Sequence, residues 1–156
     1  MAVHYTPEGY ATVTPYIIVK DAAAALDFYV KTFGAVELER MEMPDGRVGH
    51  AEFALGSSRL MLASEFPELE ALSPETVGGT PVSLMVYVED VDELFARALA
   101  AGATELQPVR NQFYGDRSGT LRDPFGHRWT ISTHIEDVTP EEMERRSKAW
   151  AEQATG

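Results

Sequence analysis

A spacing of about 70 residues between like-patterned segments constrains this 156-residue chain more than any single motif does. The first copy opens with VTPYIIV (13–19), a strand of β-branched and aromatic residues. Asp21 then caps a helix over AAAALDFYVKTF, and Gly34 stops it. Ala22, Leu26, Tyr29 and Phe33 fall on one buried helical stripe. Three strand-like runs follow, AVELERMEM, VGHAEFAL and SRLMLA, with PDG (44–46) and GS (56–57) as the turns. From 82 the order recurs. VSLMVYV is a strand, and Asp90 caps VDELFARALAA with Glu93 three positions on. Val91, Leu94, Phe95 and Ala98 form the stripe, and Gly102 ends the helix. ATELQPV, RSGTLRD and HRWTIST complete the copy, the last two joined by a PFG turn. Val19 and Val88 are 69 residues apart, Gly34 and Gly102 68, Gly49 and Gly119 70, and Gly56 and Gly126 70. Agreement within two residues across a whole half is the mark of a duplicated βαβββ unit.

The expected fold is therefore α+β, one domain of two tandem modules: 12–64, a linker at 65–81, 82–134, and a helix and tail at 135–156. The linker is rich in Pro, Gly and Glu. Thr139 as N-cap, Pro140 at the first helical position and Glu142 at N3 predict a helix to about Gln153. Met143 and Trp150 share one of its faces, which suits docking on the domain or on a second subunit. A net charge of −12, from 13 basic and 25 acidic residues, disfavours phosphate backbones and anionic headgroups, so neither nucleic acid nor membrane is an expected partner. A neutral or cationic small molecule is easier to accommodate. There is no cysteine to form a disulfide, a thiolate nucleophile or a thiolate metal site, and no apolar run nears the ~18 residues of a membrane span. The N-terminus has no secretory pattern, and the expected location is the cytoplasm.

Tandem βαβββ modules with a DPxG turn before the last strand resemble the vicinal oxygen chelate superfamily, which includes glyoxalase I, extradiol dioxygenases, and fosfomycin- and bleomycin-resistance proteins. The phrases AALDFYVKTFGA, GHAEFALGSSRLMLA and YGDRSGTLRDPFGHRWTISTHIEDVTPEEMERR look like its PhnB-like branch, and the likeness spans roughly 12–146. The resemblance implies a pair of half-barrels around a cavity, a homodimer, and in the metal-dependent members a divalent ion that polarises two neighbouring substrate oxygens. Fold alone does not fix chemistry here.

The ligand positions of those members fall on Thr14 and Ser83 of the first strands. On the last strands they fall four residues after the turn glycines, on Leu60 and Thr130. Leucine cannot ligate and neutral hydroxyls are poor ligands, so the usual metal set is missing. A slip of one residue, to Pro15, Met61, Leu84 and Ile131, does not restore it. No cofactor is expected, with a divalent metal at a non-standard site left open. Strand alternation then sends Thr14, Tyr16 and Ile18 inward, with Ser83, Met85, Tyr87, Leu60, Leu62, Arg128, Thr130 and Ser132. Trp129 and Ile131 turn towards the helix layer. This inward set suits an organic ligand.

In HAEFAL, Ala51, Phe53 and Leu55 share one face and leave His50 and Glu52 together on the other. Two readings stay open. One is a displaced metal pair or a general acid–base pair. The other is a polar rim with Glu52 paired to Arg122. FYGDRSG (113–119) is open likewise: Tyr114, Asp116 and Arg117 clamp a substrate, or an Asp116–Arg117 ion pair locks a turn. His127 and His134 read as surface residues. Two functions follow. The first is a bleomycin-resistance-like protein that binds a small organic molecule between its sheet modules without the usual metal. Its ligand contacts are Tyr16, Leu60, Met85, Tyr87, Tyr114, Arg122, Arg128 and Thr130. The alternative is a lyase, isomerase or other enzyme working through His50 and Glu52.

Overall fold

The computed structural model describes residues 3–155 and resolves into two compact units. The first takes in the chain up to Pro81 together with Pro124–His127, and the second runs over Val82–Asp123 and from Arg128 onwards.

In the first unit, β1 (Tyr16–Val19) leads into α1 (Ala22–Phe28), whose first turn is capped by Asp21 accepting from the Ala24 N–H at 3.0 Å. The helix widens into a π-type turn over Tyr29–Phe33, and Gly34, at φ 72°, ends it in the left-handed region. Then come β2 (Val36–Glu42), β3 (Val48–Leu55) and β4 (Ser58–Ser64), giving a sheet ordered β1-β4-β3-β2 with β1 parallel to β4. The expected stripe Ala22, Leu26, Tyr29 and Phe33 is buried against Ile17, Val19, Phe53 and Leu62. The Tyr29 and Phe53 rings stack at 5.4 Å. The linker is not featureless. It folds into a 3₁₀ turn at Pro67–Leu69 and a short helix, α2 (Pro74–Val77), started by Ser73. The Pro-Phe-Gly-His turn at 124–127 belongs to this unit: Phe125 meets Phe28 and Tyr29 edge-on, and His127 Nε2 lies 2.8 Å from the Ile18 carbonyl.

The second unit repeats the order. β5 (Ser83–Tyr87) and α3 (Val91–Ala100), capped by Asp90 on the Glu93 N–H, are followed by β6 (Thr104–Asn111), β7 (Asp116–Arg122) and β8 (Arg128–His134). The sheet runs β5-β8-β7-β6, again with the first and last strands parallel. Val91, Leu94, Phe95 and Ala98 pack on Leu121, Trp129 and Ile131. The last helix, α4 (Pro140–Thr155), starts where Thr139 Oγ1 accepts from the Glu142 N–H at 3.3 Å. It touches its own unit along one side. Arg146 reaches the Phe113 carbonyl, Glu136 and Glu142, and Trp150 lies 5.6 Å from the Phe113 ring while staying 55% exposed. Arg145 and Arg146 together hold the Glu142 carboxyl down to about 2. Among the described residues no helix is long and apolar enough to cross a membrane.

Each four-stranded sheet thus has one face under its helix and one open face.

Candidate functional site

On the open face of the first sheet, four side chains form a continuous hydrogen-bonded relay. Tyr16 Oη lies 2.8 Å from His50 Nδ1, and His50 Nε2 lies 3.1 Å from Glu52 Oε1. The second Glu52 oxygen accepts from the Tyr10 hydroxyl. Three local rules build this arrangement. The β3 alternation places His50 and Glu52 on one face, and the β1–β4–β3 register sets Tyr16 opposite Met61 and Met61 opposite Glu52. Tyr10 arrives from the segment before β1, where the Arg59 guanidinium lies 5.0 Å from its ring centroid. Its two donors, Tyr10 first and then His50, hold the Glu52 carboxyl below its ordinary value. Burial, then the Glu52 charge, raises the Tyr16 phenol. A carboxylate only accepts, so His50 carries its proton on Nε2 and Nδ1 is free to accept from Tyr16. The outer end of the relay is the Tyr16 hydroxyl, on a residue 48% exposed.

The open face of the second sheet has its own cluster at the opposite chain end of the strands. Tyr87 donates to Asp116 Oδ2 at 2.9 Å, Asp116 Oδ1 is 2.8 Å from His134 Nδ1, and His134 Nε2 is 2.9 Å from Asp137. Tyr87, Val88, Glu89, Thr133 and His134 line a shallow recess of about 640 Å³ beside it. The carboxylates of Asp116 and then Asp137 raise the His134 imidazole above its ordinary 6.5. A group whose folded pKa is raised adds stability that is complete below 6.5 and is lost as pH rises through the folded value. Melting temperature is therefore expected to fall in wild type relative to His134→Gln as pH climbs from 6.5. Parallel melts of the two proteins across that range check it, and curves with the same pH slope would refute it.

The register corrects the expected site at Leu60. Leu60 pairs with Phe53 and Leu62 with Ala51, and all four are buried on the helix side of the sheet. Met61 holds the open-face position instead. The Asp116–Arg117 ion pair is also absent. These neighbours point to opposite faces, Asp116 to Tyr87 and His134, and Arg117 to Asp92 of α3 at 2.7 Å and Asn111 at 2.9 Å. Both oxygens of Glu52 are engaged by Tyr10 and His50 rather than by Arg122. Arg122 and Arg128 are exposed cross-strand neighbours on the open face of the second sheet, opposite Ser83. Met85 stands opposite Thr130, and Tyr87 opposite Ser132. Tyr114 lies in the turn before β7, edge-on to Phe113 at 5.3 Å. His134 is exposed, as read from the sequence, and lies between the Asp116 and Asp137 carboxylates. Tyr10, Arg59 and Met61 were not among the expected site residues. The Ser132 hydroxyl, on the face expected to turn inward, is fully buried and, among the described residues, has no hydrogen-bond partner.

The residues at the positions where a metal would be held do not suit one. In strand register they are Thr14, Met61, Ser83 and Thr130, three hydroxyls and a thioether. The Thr130 hydroxyl lies 3.2 Å from that of Thr120. Divalent transition ions in such folds want imidazole and carboxylate donors. Among the described residues, no three or more His, Asp or Glu side chains gather so as to hold an ion.

Comparison with known proteins agrees with the duplicated architecture. An uncharacterised protein of Mycobacterium bovis is 40% identical over 147 residues, covering 92% of this chain and 94% of its own. The PhnB protein of Bacillus cereus superposes with a TM-score of 0.62 at 21% identity, over 79% of this chain and 99% of that one. FosX, a fosfomycin resistance protein of Listeria monocytogenes solved with Mn(II) and sulfate, gives 0.62 at 21% identity, over 88% and 97%. The model of the glyoxalase/bleomycin resistance protein/dioxygenase superfamily matches residues 4–131. With that match spanning both repeats, the chain belongs to the glyoxalase/bleomycin resistance protein/dioxygenase superfamily.

Proposed function

We propose that this protein binds a small organic molecule on the open faces of its sheets, without a resident metal. One observation carries the reading: large apolar and aromatic side chains stand uncovered on those faces. Tyr16 is 48%, Met85 49% and Tyr87 60% exposed, each beside polar groups on neighbouring strands. Exposed aromatic and thioether surface flanked by a few fixed polar groups is the make-up of a ligand site. His50, Glu52, Tyr114, Arg122, Arg128 and Thr130 supply polar and aromatic contacts in this reading; Leu60, on the helix side, does not. The protein acts in the cytoplasm as a homodimer, with the Trp150 side of α4 as part of the contact.

Protein purified without metal-affinity resin is screened by thermal shift against a panel of hydrophobic and cationic small molecules, with metal analysis alongside. Stabilisation by panel members in metal-free protein is the expected result. Stoichiometric zinc, nickel, manganese or iron that leaves with His50→Ala would overturn it, as would a panel in which nothing binds. Size-exclusion chromatography at micromolar concentration tests the dimer, and elution as a monomer removes it.

A further inference from the structure

We infer that the Tyr16–His50–Glu52–Tyr10 relay is a metal-free proton acceptor that tautomerises 1,3-dicarbonyl compounds bound at Tyr16. This rests on the ligand-binding reading and adds chemistry to it.

The relay has a direction. Glu52 accepts at both oxygens, which fixes the His50 proton on Nε2 and leaves Nδ1 as acceptor for the Tyr16 O–H at 2.8 Å. A hydroxyl backed by an imidazole, itself oriented by a carboxylate, is the arrangement by which a hydroxyl gives up its proton as it forms a new bond. Here the hydroxyl is a phenol at the exposed end of the chain, while the His50 and Glu52 side chains are only 25% and 17% exposed. A bound molecule therefore meets the relay at Tyr16 Oη. The raised Tyr16 phenol is poorly suited to act as a free phenolate, which favours a step in which its proton leaves as another arrives.

In that step the substrate C–H bond breaks and its proton bonds to Tyr16 Oη, while the phenolic proton of Tyr16 moves to His50 Nδ1. The electron pair left on carbon spreads into the substrate carbonyls. Glu52 stays ionised and pairs with the imidazolium through Nε2–H. Return of a proton by the reverse path, to a carbonyl oxygen, gives the enol; run backwards, the path converts enol to ketone. The product is an isomer, and neither oxidant, reductant nor water is consumed.

The strength of the base selects the substrate class. An imidazole is far too weak a base to take the proton of an ordinary ketone C–H unaided. The donor set described above offers no Lewis acid to close that gap. A carbon flanked by two carbonyls needs none, because both oxygens share the enolate charge. The exposed Tyr16 and its neighbour Met61 suit hydrophobic substituents on such a molecule.

The test follows the enol absorbance of pentane-2,4-dione, 1-phenylbutane-1,3-dione and 1,3-diphenylpropane-1,3-dione with EDTA-treated protein. Binding of each is read separately by thermal shift. Acceleration over the buffer blank is expected, falling about 100-fold in Tyr16→Phe and in His50→Gln while binding persists. Circular dichroism establishes that both variants fold. Binding without acceleration, acceleration only after metal is added, or variants as fast as wild type would overturn the inference and leave the ligand-binding reading standing. Failure of all three diones to bind would overturn it as well, and the broader panel then decides the binding reading by itself.

Discussion

Trp129→Ala is expected to cost about 3–5 kcal/mol of folding stability, read as a lower urea midpoint at unchanged slope. Trp129 is 1% exposed at the second position of β8, between Leu84 and Leu121, and among the described residues it is the largest fully buried side chain. Truncation removes its transfer free energy and leaves a cavity that two hydrogen-bonded neighbouring strands cannot close. The indole Nε1 also donates to Asp123 Oδ2 at 2.8 Å, and Asp123 is itself only 3% exposed. Trp129→Phe separates the two contributions. It keeps most of the ring volume but withdraws a donor from a buried carboxylate, so a smaller loss of about 1–3 kcal/mol is expected. If Trp129→Ala cost under about 1 kcal/mol, its place in the core would be wrong.

The placement of Trp129 was legible in the sequence because it follows from a local rule, the two-residue alternation of a strand entered from a recognisable turn. The helix caps at Asp21 and Asp90 and the left-handed stop at Gly34 were legible for the same reason. The face of Leu60 was not. The two repeats were aligned on their turn glycines, Gly56 and Gly126, which assumes the same path from glycine to strand. The hairpins differ. Leu55 pairs with Ser58 across a two-residue loop, whereas Arg122 pairs with Arg128 across five residues. Loop length sets register, and a slip of one residue exchanges the faces of a whole strand. Thr130 therefore corresponds to Met61, each standing opposite the matching first-strand residue, Met85 or Tyr16. The Asp116–Arg117 pair failed on the alternation rule itself, which forbids adjacent strand residues from sharing a face. Tyr10 is a different case. Its contact with Glu52 joins residues 42 apart through a segment with no periodicity, and nothing local announces it. What the sequence did carry was the His50–Glu52 spacing, half of the relay.

The segment after β8 depends on how closely the chain can approach Gly115, and Gly115→Ala is expected to show it. Gly115 sits at φ 98°, and a Cβ built on it would lie 2.2 Å from the Glu136 carbonyl oxygen and 3.0 Å from Val138 Cγ2. Its own carbonyl accepts from the Ile135 and Glu136 N–H groups at 2.9 and 3.0 Å. Arg146 extends the same attachment, from α4 to Phe113 and Glu136. A methyl group thus meets backbone, which cannot rotate aside as a side chain can, and about 3 kcal/mol of strain and displacement is expected. Gly46→Ala is the control. Gly46 has a similar φ of 85° but nothing within 4 Å of the added carbon, so only the conformational penalty of about 1 kcal/mol applies. Hydrogen exchange supplies the site-specific reading, with the Ile135 and Glu136 amides losing protection in Gly115→Ala and keeping it in Gly46→Ala. Equal stability losses in the two variants, with both amides still protected, would mean that the left-handed backbone alone selects glycine at 115. The close approach of 135–138 would then have no part in holding α4 to its sheet.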